Sequence, residues 1–262
     1  MKNVLLLALM LIIVGPVVAQ QKMRHKKSFG RTHFEGGMTL SSNGTNHIIA
    51  PSALQYWGVG QNKQKFKIGI GARYSASLGS DKLEYITAAA RLTSEQTGPG
   101  VFFADQVPEN IDTLSLNNTR IHALNFLLAL RYDLDEKFAV EFNIDVAGLS
   151  FGKKKTATLI YDDGKVHTSN AYPTAGNLLL VSDNDIGTLN SEFMLSYLHK
   201  KHLRFKIGPV FMFNEYDVVS PVEYINNTGK FIDATRYRNK SLQLGIGVNY
   251  VFRYFLTKTY KN

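Results

Sequence analysis

The chain has 262 residues, 44% hydrophobic and 19% charged, with 30 Lys and Arg against 21 Asp and Glu and a formal charge of +9. It is long enough for one large domain and too apolar to be disordered. It contains no cysteine, which excludes disulfide staples, thiolate metal sites and cysteine nucleophiles, so core packing or a closed sheet must hold the fold.

Met1-Lys2-Asn3 precedes an apolar run from Val4 to Val14, then Gly15-Pro16 and the small-residue boundary Val17-Val18-Ala19. This predicts a secretory signal peptide over 1–19, too short to serve as a spanning helix. No later segment is apolar for long enough to cross a membrane as a helix, so any insertion must use strands. An exported chain rarely meets nucleic acid, and its positive charge points to an anionic surface.

Beyond a segment at 20–28, period-two alternation begins. In Lys65 to Leu78, Phe66, Ile68, Ile70, Ala72, Tyr74, Ala76 and Leu78 share one face, and the other carries Lys65, Lys67, Arg73 and small residues. The pattern recurs from Phe138 to Ser150, and from Leu242 to Tyr254, where even-numbered apolar residues oppose Gln243, Gly245, Gly247, Asn249 and Arg253. Weaker versions at about 29–41, 83–93, 119–133, 187–199 and 202–215 bring the total to eight strands.

Connections alternate between short (about 79–82, 134–136, 200–201) and long (about 42–64, 94–118, 152–186, 216–236), as in barrels with tight turns at one rim and long loops at the other. Pro51, Pro99, Pro108, Pro173 and Pro221 fall in the expected loops; Pro209, inside a strand, should mark a bulge or a lost ladder bond. Tyr74, Tyr132, Phe138, Tyr197, Phe205 and Tyr254 gather at the short-turn ends on the apolar phase, as an interfacial girdle would. The expected fold is all-β: an eight-stranded antiparallel transmembrane β-barrel, an up-and-down meander over 29–255, followed by a tail at 256–262. A soluble ligand-holding barrel is the alternative.

With these strands in place, the chain resembles the small outer-membrane barrels typified by OmpA and OmpX, and more loosely the PorT-like barrels of Bacteroidetes. The ending Gly245-Ile246-Gly247-Val248-Asn249-Tyr250-Val251-Phe252-Arg253-Tyr254-Phe255 looks like the aromatic-terminated final strand that the barrel-assembly machinery recognises. The resemblance implies location in the outer membrane, with that machinery, outer-membrane lipid and lipopolysaccharide as partners, and no cofactor or metal.

If the apolar phase faces lipid, the lumen receives Arg31, Glu35, Arg73, Arg131, Glu141, Asp145, Glu192, Arg204 and Lys206. Eight strands leave a bore that side chains largely fill, so a paired network should close it. An open version would be a small porin. Loop aromatics Tyr56, Trp57, Phe102, Phe103, Tyr161, Tyr172, Tyr216 and Tyr224, set among small polar residues, suit contact with an extracellular ligand or packing between loops.

His167-Thr168-Ser169-Asn170 is similar to the His-x-Ser-Asn motif of outer-membrane lipid A deacylases, which implies His167 as base and Ser169 as nucleophile with Asn170 beside them. It lies in a long predicted loop without the rigid strand such a site needs, so a non-enzymatic barrel is the favoured reading. Arg236, Arg238 and Lys240, entering the last strand on its outward phase, are expected to face lipid phosphates. Asn43-Gly44-Thr45 and Asn226-Asn227-Thr228 read as turns.

Overall fold

The computed structural model describes residues 30–60, 65–88, 90–94, 105, 107–161, 164–180, 184–200, 202–225 and 231–253. The expected signal peptide, the 20–28 segment, the tail and Tyr254 lie outside them. The strands are β1 (Gly30–Ser42), β2 (Asn46–Gly58), β3 (Phe66–Gly79), β4 (Lys82–Thr87), β5 (Thr113–Asn117), β6 (Arg120–Asp133), β7 (Phe138–Phe151), β8 (Lys155–Ile160), β9 (Val166–Pro173), β10 (Gly176–Leu178), β11 (Leu189–His199), β12 (Leu203–Ile225) and β13 (Phe231–Arg253). Two short helical turns, Ala90–Thr93 and Pro108–Asn110, sit between β4 and β5.

Every pairing between strands is antiparallel, and the sheet closes on itself. The expected count of eight is corrected: among the described residues the sheet holds thirteen strands. The lower ring runs β1-β2-β3-β6-β7-β11-β12-β13 and returns to β1 through the Ser42↔Leu244 to His33↔Arg253 ladder. The start of β1, the end of β13 and the facing ends of the β2–β3, β6–β7 and β11–β12 pairs share the lower rim. A second, smaller ring stands on the upper rim, where β4, β5, β8 and β9 pair in succession and close onto the upper parts of β13 and β12. The simple meander is therefore corrected too: two connections between lower strands fold into strands of their own.

The lower ring does not contain the expected eight segments. β2 occupies 46–58, read from sequence as loop, while the 83–93 segment yields the short β4, which joins the upper ring, and a helical turn. Consequently the Gly79–Lys82 connection lies at the upper rim, and Tyr74 belongs to the upper half of the barrel. Proline hid β2. At Pro51 the β2–β3 ladder skips from Ile49↔Ala76 to Ser52↔Arg73 without changing register, because proline has no N–H to donate. Pro209 acts in the same way, the β11–β12 ladder skipping between Glu192↔Val210 and Leu195↔Ile207.

β1 turns into β2 through Asn43-Gly44-Thr45. Gly44 takes φ +93°, and Asn43 Oδ1 accepts from the backbone N–H groups of Thr45 and Asn46 (3.3 and 2.9 Å). A bulge at Val146 breaks the alternation expected through β7: Phe126 pairs with Ala147 but Leu127 with Asp145, so Ser150 turns inward and Leu149 and Phe151 outward.

Side chains divide cleanly between the two faces. Around the lower ring the outward phase is apolar and open: Leu40, Ile49, Ile70, Phe126 (72% exposed), Phe142, Phe193, Ile207, Leu244 and Ile246 are examples. The inward phase is buried and mixes polar and charged groups with apolar ones, Leu54 and Leu127 in one cluster and Ile48 and Met212 in another. Above, the upper ring packs Leu83, Tyr85, Leu114, Leu116, Ile121, Leu159, Tyr216 and Tyr237 into one apolar core.

Candidate functional site

The bore is built in layers, each strand contributing every second residue because its side chains alternate between faces. Lowest is a charged layer from β1, β6, β7 and β12. The Arg131 guanidinium donates to both oxygens of Glu35 (2.6 and 2.7 Å), and its Nε lies 3.2 Å from Glu141. Arg204 Nε stands 3.4 Å from Glu35 and 3.8 Å from Glu141. Asn249 donates a further bond to Glu35 (3.1 Å), and His33 Nε2 lies 3.1 Å from the same carboxylate. The Arg131 guanidinium also stacks 4.0 Å over the Tyr56 ring, which in turn stacks on His33.

The next layer up centres on Arg73 of β3, which bridges Asp145 (3.3 Å) and Glu192 (3.2 Å). Asn125 donates to Asp145 (2.8 Å) and Asn143 to Glu192 (3.1 Å). Lys206 is buried on the same inward face, within reach of the Glu192 charge. A neutral layer follows: Ser41 donates to Gln243 (2.7 Å), Ser77 to Asn46 (3.0 Å) and Asn214 to Ser77 (2.8 Å). The apolar core of the upper ring stands above it.

Eight of the nine residues expected in the lumen are thus inside it; the side chain of Arg31 lies outside the described residues. Arg73, Arg131, Arg204 and Lys206 give four positive charges against four negative from Glu35, Glu141, Asp145 and Glu192, all at most 5% exposed. Balance of that kind is required physically, since an unpaired charge this far from water costs several kcal/mol. Lys67 and Asp133 add a further pair at the lower mouth.

The expected outward cations are placed differently. Arg238 is 2% exposed and bonds Glu215 through Nε and Nη2 (3.1 and 2.8 Å), its ladder partner across β12–β13. It also donates to the Asp185 carbonyl, as does Arg236. This corrects the reading of Arg238 as a lipid-facing cation: the 184–187 stretch lies against it, and a buried carboxylate claims its charge. Arg236 is half-buried beside Glu215 (3.3 Å), and Lys240 is exposed with its ammonium 5.9 Å from the Phe213 ring. Sequence could not expose this pairing, because Glu215 is 23 residues from Arg238 and only the long β12–β13 hairpin brings them opposite.

The loop aromatics divide between inside and outside, with Trp57 half-buried on the face of β2 opposite Tyr56. Tyr56 is in the charged layer, Tyr216 is core, Tyr161 packs against that core, and Tyr172 is exposed. Phe102 and Phe103 lie outside the described residues, as do the Tyr224 side chain and Asn226-Asn227-Thr228. Burial drives the phenols of Tyr85 and Tyr237 upward and that of Tyr216 to about 12, so all three stay neutral in the upper core.

Ser169 and His167 share one face of β9, in a β8–β9 hairpin and not an open loop. His167 is exposed, Ser169 is buried, and the Ser169 hydroxyl donates to the Asn170 carbonyl (3.4 Å). No hydrogen bond joins the two side chains, so the geometry offers no activated nucleophile. Among the described residues no group of three His, Asp or Glu is placed to hold a metal.

No family model and no curated protein matches the chain. Among solved structures it is similar to Neisserial surface protein A (8% identity, covering 85% of this chain and 96% of that one, TM-score 0.33). It is also similar to the P. putida toluene transporter TodX (8%, 87% and 91%, TM-score 0.23) and to a Pseudomonas aeruginosa FadL homologue (9%, 85% and 75%, TM-score 0.24). Likenesses at such TM-scores carry no weight for the fold, which the strand pairing of this chain establishes by itself.

Proposed function

We propose that the protein is an outer-membrane β-barrel with a sealed bore, which acts as a structural element or through its extracellular end and not as a channel. The observation that carries this is the reversal of faces: a closed sheet with Phe126, Leu149, Leu242, Leu244 and their neighbours open on the outside and eight buried charges, four of each sign, inside. Apolar surface on that scale is untenable in water, whereas in a bilayer it meets hydrocarbon, and closure of the lower ring leaves none of its strands with an unpaired edge. The soluble-barrel alternative would need the opposite distribution.

In this reading the lower rim, with the start of β1 and the end of β13, faces the periplasm, and the upper ring stands outside the cell. Tyr132, Phe138, Tyr197 and Phe205 mark the inner interface. Two charged layers, a neutral polar layer and an apolar core lie in series along the bore, which favours a plug over a porin. Assembly by the barrel-assembly machinery and contact with lipopolysaccharide follow from the same location.

Fractionation of cells with gel migration of unboiled and boiled samples tests the proposal. The protein should appear in outer-membrane detergent extracts and shift on heating; recovery in the soluble periplasmic fraction would overturn it. Planar-bilayer recording of the refolded protein should show no steady, large conductance, and such a conductance would replace plug with porin.

A further inference from the structure

The outward phase of β6 carries Arg120, His122, Leu124, Phe126 and Leu128 in sequence, so Arg120 stands two residues, about 7 Å, above His122 on the barrel's outer wall. His122 is the centre of an aromatic platform across three strands. Its Nδ1 lies 2.7 Å from the Tyr74 hydroxyl of β3, and its ring stacks on Tyr74 and on Phe151 of β7 (centroids 6.0 and 5.5 Å). Rings of mixed polarity, facing out at the top of an apolar wall, mark the height at which hydrocarbon gives way to headgroups.

Directly above this platform the chain gathers cations. The β6–β7 ladder ends at His122↔Phe151, beyond which Gly152, Lys153 and Lys154 continue past the start of β6. Contact at Gly152 confirms the approach: a Cβ there would come within 2.7 Å of the Arg120 carbonyl and 2.8 Å of Pro173 Cγ. Lys154 follows. Arg120, Lys153 and Lys154 are all exposed, and none makes an ion pair among the described residues. Lys155 is committed differently, its ammonium donating to the Asn118 carbonyl (2.9 Å) and pinning the base of the β8–β9 hairpin beside β6.

We propose that Arg120, Lys153 and Lys154 form a binding site for the phosphate groups of a phosphorylated lipid headgroup in the outer leaflet, with the acyl chains lying against Leu124, Phe126 and Leu149 below. This rests on the membrane-spanning reading above. Arg120 one strand step over an aromatic platform, with exposed Lys153 and Lys154 just past the end of β7, matches a phosphate held at the bilayer surface, and the guanidinium can engage it in bidentate fashion. The site differs from the expected Arg236–Arg238–Lys240 cluster, where Glu215 holds the arginines.

The test uses the full chain purified in detergent, with bis-phosphorylated lipid A and its dephosphorylated form as probes and native mass spectrometry as the readout. The variant R120Q/K153Q/K154Q should bind the phosphorylated probe roughly a hundredfold more weakly, the loss expected for three cations at an anionic surface, and the dephosphorylated probe unchanged. A control, K65Q/K137Q/K200Q, removes exposed cations of the lower rim and should bind as the parent does. Unaltered binding by the first variant, an equal loss in the control, or equal affinity for both probes overturns the proposal. Heat-modifiable migration is read on every sample, and single variants R120Q and K153Q replace the triple one if it fails to fold. A parent protein that does not insert defeats the membrane reading; one that inserts but ignores these substitutions defeats only the lipid site.

Discussion

Arg131→Met gives the sharpest test of the sealed bore. Arg131 is fully buried, donates to Glu35 at 2.6 and 2.7 Å, lies 3.2 Å from Glu141 and covers the Tyr56 ring. Methionine keeps much of the volume but changes the luminal balance from four against four to three against four. Arg204 alone then faces two carboxylates, at 3.4 and 3.8 Å, both farther from it than they are from Arg131. Stranding a buried partner in this way costs about 3–5 kcal/mol, whereas replacing a whole buried pair by apolar groups is often neutral. The single variant should therefore be destabilised by about 3–5 kcal/mol, and R131M/E35Q, which restores the balance, should recover most of it. Trp57 is the chain's single tryptophan and lies on β2 opposite Ile68 near the lower rim, so its fluorescence reports urea unfolding of the barrel in lipid vesicles. A destabilisation below about 1 kcal/mol in R131M, or no recovery in the double variant, would refute the account of the charged layer as an interdependent network.

Other outcomes follow from the upper ring. Leu159→Ala removes a fully buried side chain from the upper core and should destabilise that ring by about 2–5 kcal/mol; limited proteolysis should then cut within 80–119 or 152–188 while the lower ring keeps its heat-modifiable migration. Burial, reinforced by the neighbouring Glu215 charge, pushes the Asp217 carboxyl up to about 6 from an ordinary value of 3.8. Because the folded state binds this proton more tightly, the upper ring should be most resistant to proteolysis below about pH 4 and lose resistance as pH rises through 6. Asp217→Asn should flatten that dependence, and an unchanged profile would remove Asp217 as its source. Ser169→Ala should leave lipid A from overproducing cells identical by mass spectrometry, since its hydroxyl meets a carbonyl and not a base; a change in acylation would revive the esterase reading.

Much of the lower wall was legible because a strand with an open apolar face outside and a buried, charge-bearing face inside writes its environment into every second residue. The alternation from Leu242 to Phe252 and from Phe66 to Leu78 assigns both faces without reference to any neighbour. The same phase placed Glu35, Arg73, Arg131, Glu141, Asp145, Glu192, Arg204 and Lys206 together in one interior. Alternation says which face a charge takes, but not which charge it meets: that Arg73 bridges Asp145 and Glu192, and Arg131 joins Glu35 to Glu141, depends on registers set across several strands.

Where the pattern was locally broken, only the assembled sheet decided the outcome. Pro51 interrupts β2, whose neighbours on both sides supply the ladder that the strand cannot announce for itself, and the Val146 bulge reverses the phase of β7 between one residue and the next. The upper ring left almost no local trace: its strands are short, and their apolar residues read as loop packing until β4, β5, β8 and β9 close on the β12–β13 hairpin. Arg238 shows the limit most plainly. Its outward phase was correct as a period-two inference, yet it is buried, because what covers a side chain is supplied by distant chain, here the 184–187 stretch and Glu215.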